Sequence, residues 1–197
     1  MQKIIIATHN EGKAREFRSL FEALNVDVQS LKDLNYYEEI EETGSTFNEN
    51  AKIKAEAIAA HYNEIVIADD SGLTIEALDG KPGVYSARYA GEQKNDQENI
   101  KKVLSKMEGV ANAKRKAQFV CVLAVAVPGK PTYTIKGTCD GVITHTPSGE
   151  NGFGYDPIFY VPSLLKTLAQ MSQEEKNQIS HRADALKELK ARWDEIF

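Results

Sequence analysis

The chain has 197 residues, 42% of them hydrophobic and 27% charged, which is enough apolar mass for an ordinary globular core. Its formal net charge of −5 excludes a broad attraction to nucleic acid polymers or anionic membranes, so any cations serving an anionic ligand must be concentrated locally. No run of about 18 apolar residues occurs, so no membrane span is expected, and Cys121 and Cys139 make neither a disulfide framework nor a zinc cluster.

Ile4-Ile5-Ile6-Ala7 is a β-branched run that predicts a buried first strand. It is too short for a signal peptide, and with so few cysteines it points to a reduced, cytoplasmic protein. Thr8-His9-Asn10 ends the run. Asn10 is placed to cap a helix reaching about Leu24, with Phe17, Leu20, Phe21 and Leu24 at helical spacing. Val26-Asp27-Val28 reads as a second strand, and Glu38 to Glu42 as an acidic loop closing at Thr43-Gly44-Ser45. Thr46-Phe47-Asn48-Glu49 has the pattern of a capping box, opening a helix to about Tyr62. Ile65-Val66-Ile67-Ala68 predicts another buried strand, emptying into a turn at Asp69-Asp70-Ser71-Gly72. A third helix covers Asp96 to Met107. Ala117 to Val127 is apolar on both alternating faces, as a central strand covered on both sides would be. Pro128-Gly129-Lys130-Pro131 turns it into a strand over about Thr132 to Ile143. Gly149 to Pro157 is a glycine-rich loop, and Ser180 caps a final helix to the C-terminus. No repeat or linker interrupts the chain, so a single α/β domain over 1–197 with a mixed sheet is expected.

Five segments could carry chemistry. Thr8-His9-Asn10-Glu11-Gly12-Lys13 joins a strand to a helix start, where free amides and the helix dipole favour an anion. Lys13 sits where the dipole disfavours a cation, a conflict that a phosphate would remove. Alone, the segment is also an ordinary Asn-capped helix with a solvated lysine. Asp69-Asp70 stands at a strand end, where ligands of α/β sheets bind, and carboxylate oxygens suit Mg2+. It reads equally as a turn whose side chains bond the backbone.

Lys54 falls on the apolar stripe Phe47, Ala51, Ile58, Tyr62, so it points inward and needs either an anionic partner or a snorkelling stem. Lys52, on the other side, reads as a solvated pair with Glu56. Ser180-His181-Arg182 opens a helix with cations, which is unfavourable unless an anion binds there, and Lys176 joins the same basic cluster. Gly152-Phe153-Gly154-Tyr155-Asp156-Pro157 lets backbone approach a ligand, with Phe153 or Tyr155 to stack on a base and Asp156 to accept from ring N–H groups. It is also a glycine-rich turn with core aromatics. A nucleotide polyphosphate with its metal satisfies all five at once.

In order along the chain, these segments resemble the inosine triphosphate pyrophosphatase family, and most closely its bacterial members. The matching pieces are Thr8-x-Asn10-x-x-Lys13, Glu41-Glu42-Thr43-Gly44, Glu49-Asn50-Ala51 with Lys54-Ala55, Ala68-Asp69-Asp70-Ser71-Gly72-Leu73, and Pro82-Gly83-Val84-Tyr85-Ser86-Ala87-Arg88-Tyr89. They continue with Gly152 to Phe159 and Ser180-His181-Arg182-x-x-Ala185-Leu186, spanning nearly the whole chain. The resemblance implies an elongated mixed sheet flanked by helices, two lobes with a nucleotide cleft between them, and a homodimer. It implies hydrolysis of ITP, dITP and XTP between the α and β phosphates. By position, Glu41 and Asp70 would hold Mg2+, and Asp70 would be the proton acceptor. Thr8, His9, Asn10, Glu11, Gly12, Lys13, Lys54, Ser71, Arg88, Phe153, Gly154, Tyr155, Asp156, Lys176, His181 and Arg182 would bind substrate.

Two other readings make distinct predictions. An aspartyl-nucleophile phosphatase would release orthophosphate, but such enzymes need Asp-x-Asp after the first strand. A nucleotide sensor would bind ITP with Mg2+ without cleaving it, and it gains little from spare carboxylates.

Overall fold

The computed structural model describes residues 3–22 and 26–196. Of the positions read above, Leu24, the side chain of Leu20 and Phe197 lie outside the described residues. In chain order the strands are β1 (Lys3–Ile6), β2 (Asp27–Ser30), β3 (Ile65–Ile75), β4 (Lys116–Ala126), β5 (Tyr133–Ile143), β6 (Phe159–Val161) and β7 (Lys166–Thr167). The helices are α1 (Glu11–Phe21), α2 (Phe47–Tyr62), α3 (Asp96–Lys106), α4 (Gln173–Ile179), α5 (His181–Ala191) and α6 (Trp193–Ile196). The seven strands form one sheet in the order β2-β1-β3-β4-β5-β6-β7. It is mixed: β1 lies parallel to both β2 and β3, and β6 is antiparallel to both β5 and β7. This is the α/β architecture expected.

Local chemistry explains the elements that position the site. Ile4, Ile5 and Ile6 are all buried, so β1 has no solvent face, as its unbroken apolar run requires. Asn10 caps α1, its Oδ1 accepting from Lys13 N at 3.1 Å. The box at α2 closes in both directions. Thr46 Oγ1 accepts from Glu49 N, and Glu49 Oε2 accepts from Thr46 N, each at 3.2 Å.

One expectation is corrected. Asp69-Asp70-Ser71-Gly72 is not a turn but the middle of β3, which runs on to Ile75. β3 has strand neighbours on both sides, so continued ladder pairing outweighs the turn preference of Asp, Ser and Gly. The consequence is geometric: successive strand side chains point to opposite faces, so Asp69 and Asp70 are separated by the sheet. Two smaller differences concern the surface. Glu56 accepts from Thr132 Oγ1 at 2.6 Å rather than pairing with Lys52. The final helix is broken between α5 and α6, and α4 precedes it.

The chain divides into two compact units. Unit 1 holds Met1–Asp70, Cys121–Gly137 and Arg182–Phe197. Its core joins Ile4, Ile6 and Ile67 of the sheet to Phe17 and Phe21 of α1 and to Ala185, Leu186 and Leu189 of α5. Unit 2 holds Ser71–Val120 and Thr138–His181. Its core gathers Leu73 and Ile75, Ile100 and Val103 of α3, Phe119, Phe159 and Leu168. No disulfide joins Cys121 and Cys139, both buried. Among the described residues, no helix is long and apolar enough to cross a membrane.

Candidate functional site

In unit 1 the charges are arranged on the two faces of β3. Alternation puts Asp69 on the face of Ile67, against α1 and α5. There Lys13 Nζ lies 3.0 Å from Asp69 Oδ2, Arg182 Nε 3.4 Å from the same oxygen, and Arg182 Nη1 2.5 Å from Glu16 Oε2. Glu16, Asp69 and Arg182 are 1–2% exposed, while the Lys13 side chain, 16% exposed, is the edge of the network that water reaches. Burial alone would raise the Asp69 carboxyl, but Lys13 and Arg182 overcome it and hold the group well below the usual carboxylate range. The cations at the starts of α1 and α5 therefore find their anions within the protein.

Asp70 occupies the other face, toward α2. Lys54 reaches it from the helix, as its place on the apolar stripe predicted. Its Nζ donates to Glu42 Oε1 at 2.7 Å and to the Asp69 carbonyl at 2.8 Å, and stands 3.8 Å from Asp70 Oδ1. Desolvation opposes the Lys54 charge, but Asp70, Asp69 and Glu42 together raise its pKa. Asp70 Oδ2 is buried with no hydrogen-bond donor among the described residues. Burial pushes the Asp70 carboxyl up, against the pull of Lys54 and Lys13 and a hydrogen bond from Asn50. Asp69 is thus neutralised by two cations at one oxygen, whereas Asp70 has only the more distant Lys54 and a carboxyl that burial keeps more basic.

The structure brings Glu42, not Glu41, to Lys54; Glu41 is exposed. Among the described residues no group of three His, Cys, Asp or Glu side chains is placed to hold a metal by itself. The rest of the first loop is partly exposed. Thr8 Oγ1 accepts from Asn10 N at 3.1 Å, His9 Nε2 meets the Glu38 carbonyl at 3.0 Å, and Glu11 pairs with Lys32 at 3.3 Å. Gly12 lies in the first turn of α1.

In unit 2, Asp156 organises the glycine-rich loop. Its Oδ2 accepts from Phe153 N at 3.0 Å and from Lys176 Nζ at 2.7 Å, both partners of the pair being buried. Gly152 is required there: its φ is +76°, and a Cβ would come within 2.0 Å of Asp156 Oδ2. Lys176 Nζ also lies 4.8 Å from the centre of the half-buried Phe153 ring. Gly154 N donates to Asp96 Oδ2 at 2.8 Å. Tyr155 is buried, its hydroxyl donating to the Ser86 carbonyl at 2.7 Å, which leaves Phe153 as the accessible ring of the loop. His181 is buried and stacks on Phe119, ring centres 4.9 Å apart and planes 12° apart. Arg88 lies over the Tyr85 ring at 5.4 Å, and Ser71 is half-buried on β3.

Two contributors escaped the sequence reading, Glu16 and Phe119, while Glu42 and Asn50 stood in its motifs without an assigned role. A signal existed for Glu16, which lies three residues from Lys13 and beside Phe17 on the inward face of α1. None existed for Phe119, whose partner is far away in the chain.

Comparison with known proteins follows the same pattern. The model of the Ham1 family matches residues 4–192. The dITP/XTP pyrophosphatase of Bacillus subtilis (strain 168) is 58% identical over 189 residues, covering 96% of each chain. That of Geobacillus kaustophilus (strain HTA426) is 56% identical over 100% of this chain and 96% of its own. Among solved structures, the Staphylococcus aureus Ham1 protein superposes with a TM-score of 0.87 at 50% identity, covering 98% of each chain. A HAM1 protein from Coxiella burnetii gives 0.88 at 43% identity, covering 99% of this chain and 100% of its own.

Proposed function

The chain belongs to the Ham1 family, and we propose that it hydrolyses deaminated purine nucleoside triphosphates (dITP, XTP and ITP) to the nucleoside monophosphate and pyrophosphate, keeping these bases out of DNA and RNA. The observation that carries the reading is Asp70, a buried carboxylate with one oxygen lacking a donor among the described residues, beside the ammonium of Lys54. A protein that only had to fold gains nothing from such an oxygen.

Carboxylate oxygens such as those of Asp70 and the Glu41-Glu42 segment suit Mg2+, which takes one or two of them and leaves the rest of its shell to substrate phosphates and water. Asp70 and Glu41 would hold the ion, with Glu42 kept beside them by Lys54. The chemistry such an ion would supply there is positive charge against the departing pyrophosphate.

The remaining work belongs to side chains. A triphosphate carries several negative charges and attack by water adds more, so positioning and charge neutralisation dominate. Lys13, Lys54 and Lys176 take phosphate oxygens, aided by amides of Thr8 to Gly12 at the start of α1 and by Ser71 and Arg88. Asp70 orients the water and accepts its proton, a task that suits a carboxylate made more basic by burial. Phe153 stacks on the purine, within the loop that Gly154, Tyr155 and Asp156 shape. His181 and Arg182 supply donors toward the C6 carbonyl of hypoxanthine or xanthine, and adenine, with an amino group there, is rejected because buried donors would be left unpaired. The catalytic domain spans 1–197, acts in the cytoplasm and works as a homodimer.

The test is a panel of nucleoside triphosphates with Mg2+ and separate detection of pyrophosphate and orthophosphate. Pyrophosphate from dITP and XTP, with ATP cut far more slowly, is expected. Orthophosphate as first product, or equal cleavage of ATP and ITP, refutes the reading.

A further inference from the structure

We propose that His9 is a positioning residue: with Tyr36 it holds the acidic segment Glu38–Glu42 where its carboxylates can meet a divalent cation. This rests on the reading that Asp70 and that segment bind the ion.

The segment has no secondary structure of its own, since residues 36–44 make neither helix nor strand. It must nevertheless bring carboxylates to Asp70, and four like charges in five residues repel one another. Its C-terminal end is fixed where Glu42 meets Lys54 at 2.7 Å and where Gly44 N donates to Asn50 Oδ1 at 2.8 Å. Its N-terminal end is fixed by His9. The Nε2–H of His9 donates to the Glu38 carbonyl at 3.0 Å, and its ring stacks on Tyr36, centres 6.4 Å apart and planes 17° apart. Tyr36 is gripped in turn by the edges of His61 and Tyr62, at 5.4 and 6.1 Å.

Glu38 is therefore held through its main chain by His9, whose ring is backed in turn by Tyr36. Four residues of chain reach at most about 14 Å, so pinning Glu38 and Glu42 confines Glu41 between them. His9 faces this segment with the nitrogen that a substrate contact would use. Its neighbours Asn10 and Lys13 stay with α1, so His9 couples the loop before α1 to the acidic segment.

The experiment titrates Mn2+ into the metal-free, nucleotide-free protein and counts free ion by electron paramagnetic resonance. His9→Ala should weaken binding about fivefold, the effect of one hydrogen bond and one ring contact of ordinary strength. His9→Gln, which keeps a terminal nitrogen donor, should recover most of that loss. Wild-type affinity in His9→Ala, or equal weakening in His9→Gln and His9→Ala, overturns the inference. So does a raised KM for dITP in His9→Ala with unchanged Mn2+ affinity, which would make His9 a substrate contact. Asp70→Asn separates the two levels. If it too binds Mn2+ like wild type, the metal reading itself falls; if it alone loses binding, only the role of His9 does.

Discussion

Replacing Arg182 by Met tests how much of unit 1 depends on its sealed charges. Methionine keeps the apolar length of the stem and deletes the guanidinium, which is 2% exposed and lies 2.5 Å from Glu16 and 3.4 Å from Asp69. Asp69 keeps Lys13 at 3.0 Å, whereas Glu16 loses its buried cation. Removing one partner of a buried pair costs about 3–5 kcal/mol, because the other charge stays desolvated. At about 2–4 °C per kcal/mol for a chain of this length, Tm should drop by about 6–20 °C. The pH dependence gives a second handle. In the wild type the Asp69 pKa is depressed, so its contribution is present above the unfolded value and lost only as pH falls toward the folded one. In Arg182→Met the stranded Glu16 is relieved by taking up a proton, so the deficit should narrow as pH is lowered from neutrality. Denaturant unfolding across a pH series measures both effects, and Glu16→Gln in the same background should restore part of the loss. A deficit below about 1 kcal/mol, or one that stays constant with pH, refutes the argument.

Four further outcomes are expected. Asp70→Asn should cut pyrophosphate release from dITP by about 10²-fold or more. The same variant, metal-free at neutral pH, should melt above wild type: burial raises the folded Asp70 pKa, so the cost of ionising it is absent below the unfolded pKa and complete once pH exceeds the folded one. The gap, read by calorimetry, should close in acid. Gly152→Ala, whose Cβ meets Asp156 Oδ2 at a φ of +76°, should lose at least about 2 kcal/mol, while Gly80→Ala, at φ +81° with open space, loses only about 1 kcal/mol. Arg115→Lys should be nearly as damaging as Arg115→Met in denaturant unfolding. The buried guanidinium donates to the carbonyls of Met107, Val110, Ile143 and Thr144, a set that an ammonium with three donors cannot serve.

What the sequence made legible was local. The caps at Asn10 and Thr46 are decided by residues three positions apart, and the inward aim of Lys54 follows from 100° per residue; each is found as expected. What escaped depends on residues distant in the chain. The strand through Asp69-Asp70-Ser71-Gly72 is imposed by neighbours on both edges, which no local preference reports. The cations of Lys13 and Arg182 were rightly read as needing an anion, but sequence could not distinguish a ligand's phosphate from carboxylates supplied by Glu16 and Asp69. Glu41 and Glu42 are adjacent and chemically identical, so only the fold could assign one of them to Lys54.

The pairing of Glu16 with Arg182 also sets an order of events during synthesis. Unit 2 is complete once His181 has been made, and its core can close then. Unit 1 begins with the first residues of the chain, and Asp69 can meet Lys13 early, yet the pairing of Glu16 with Arg182 waits until α5 leaves the ribosome. The last stretch of chain therefore supplies the cation that Glu16 meets near its start, and a chain cut just before Arg182 would keep every residue of unit 2 while denying Glu16 the guanidinium.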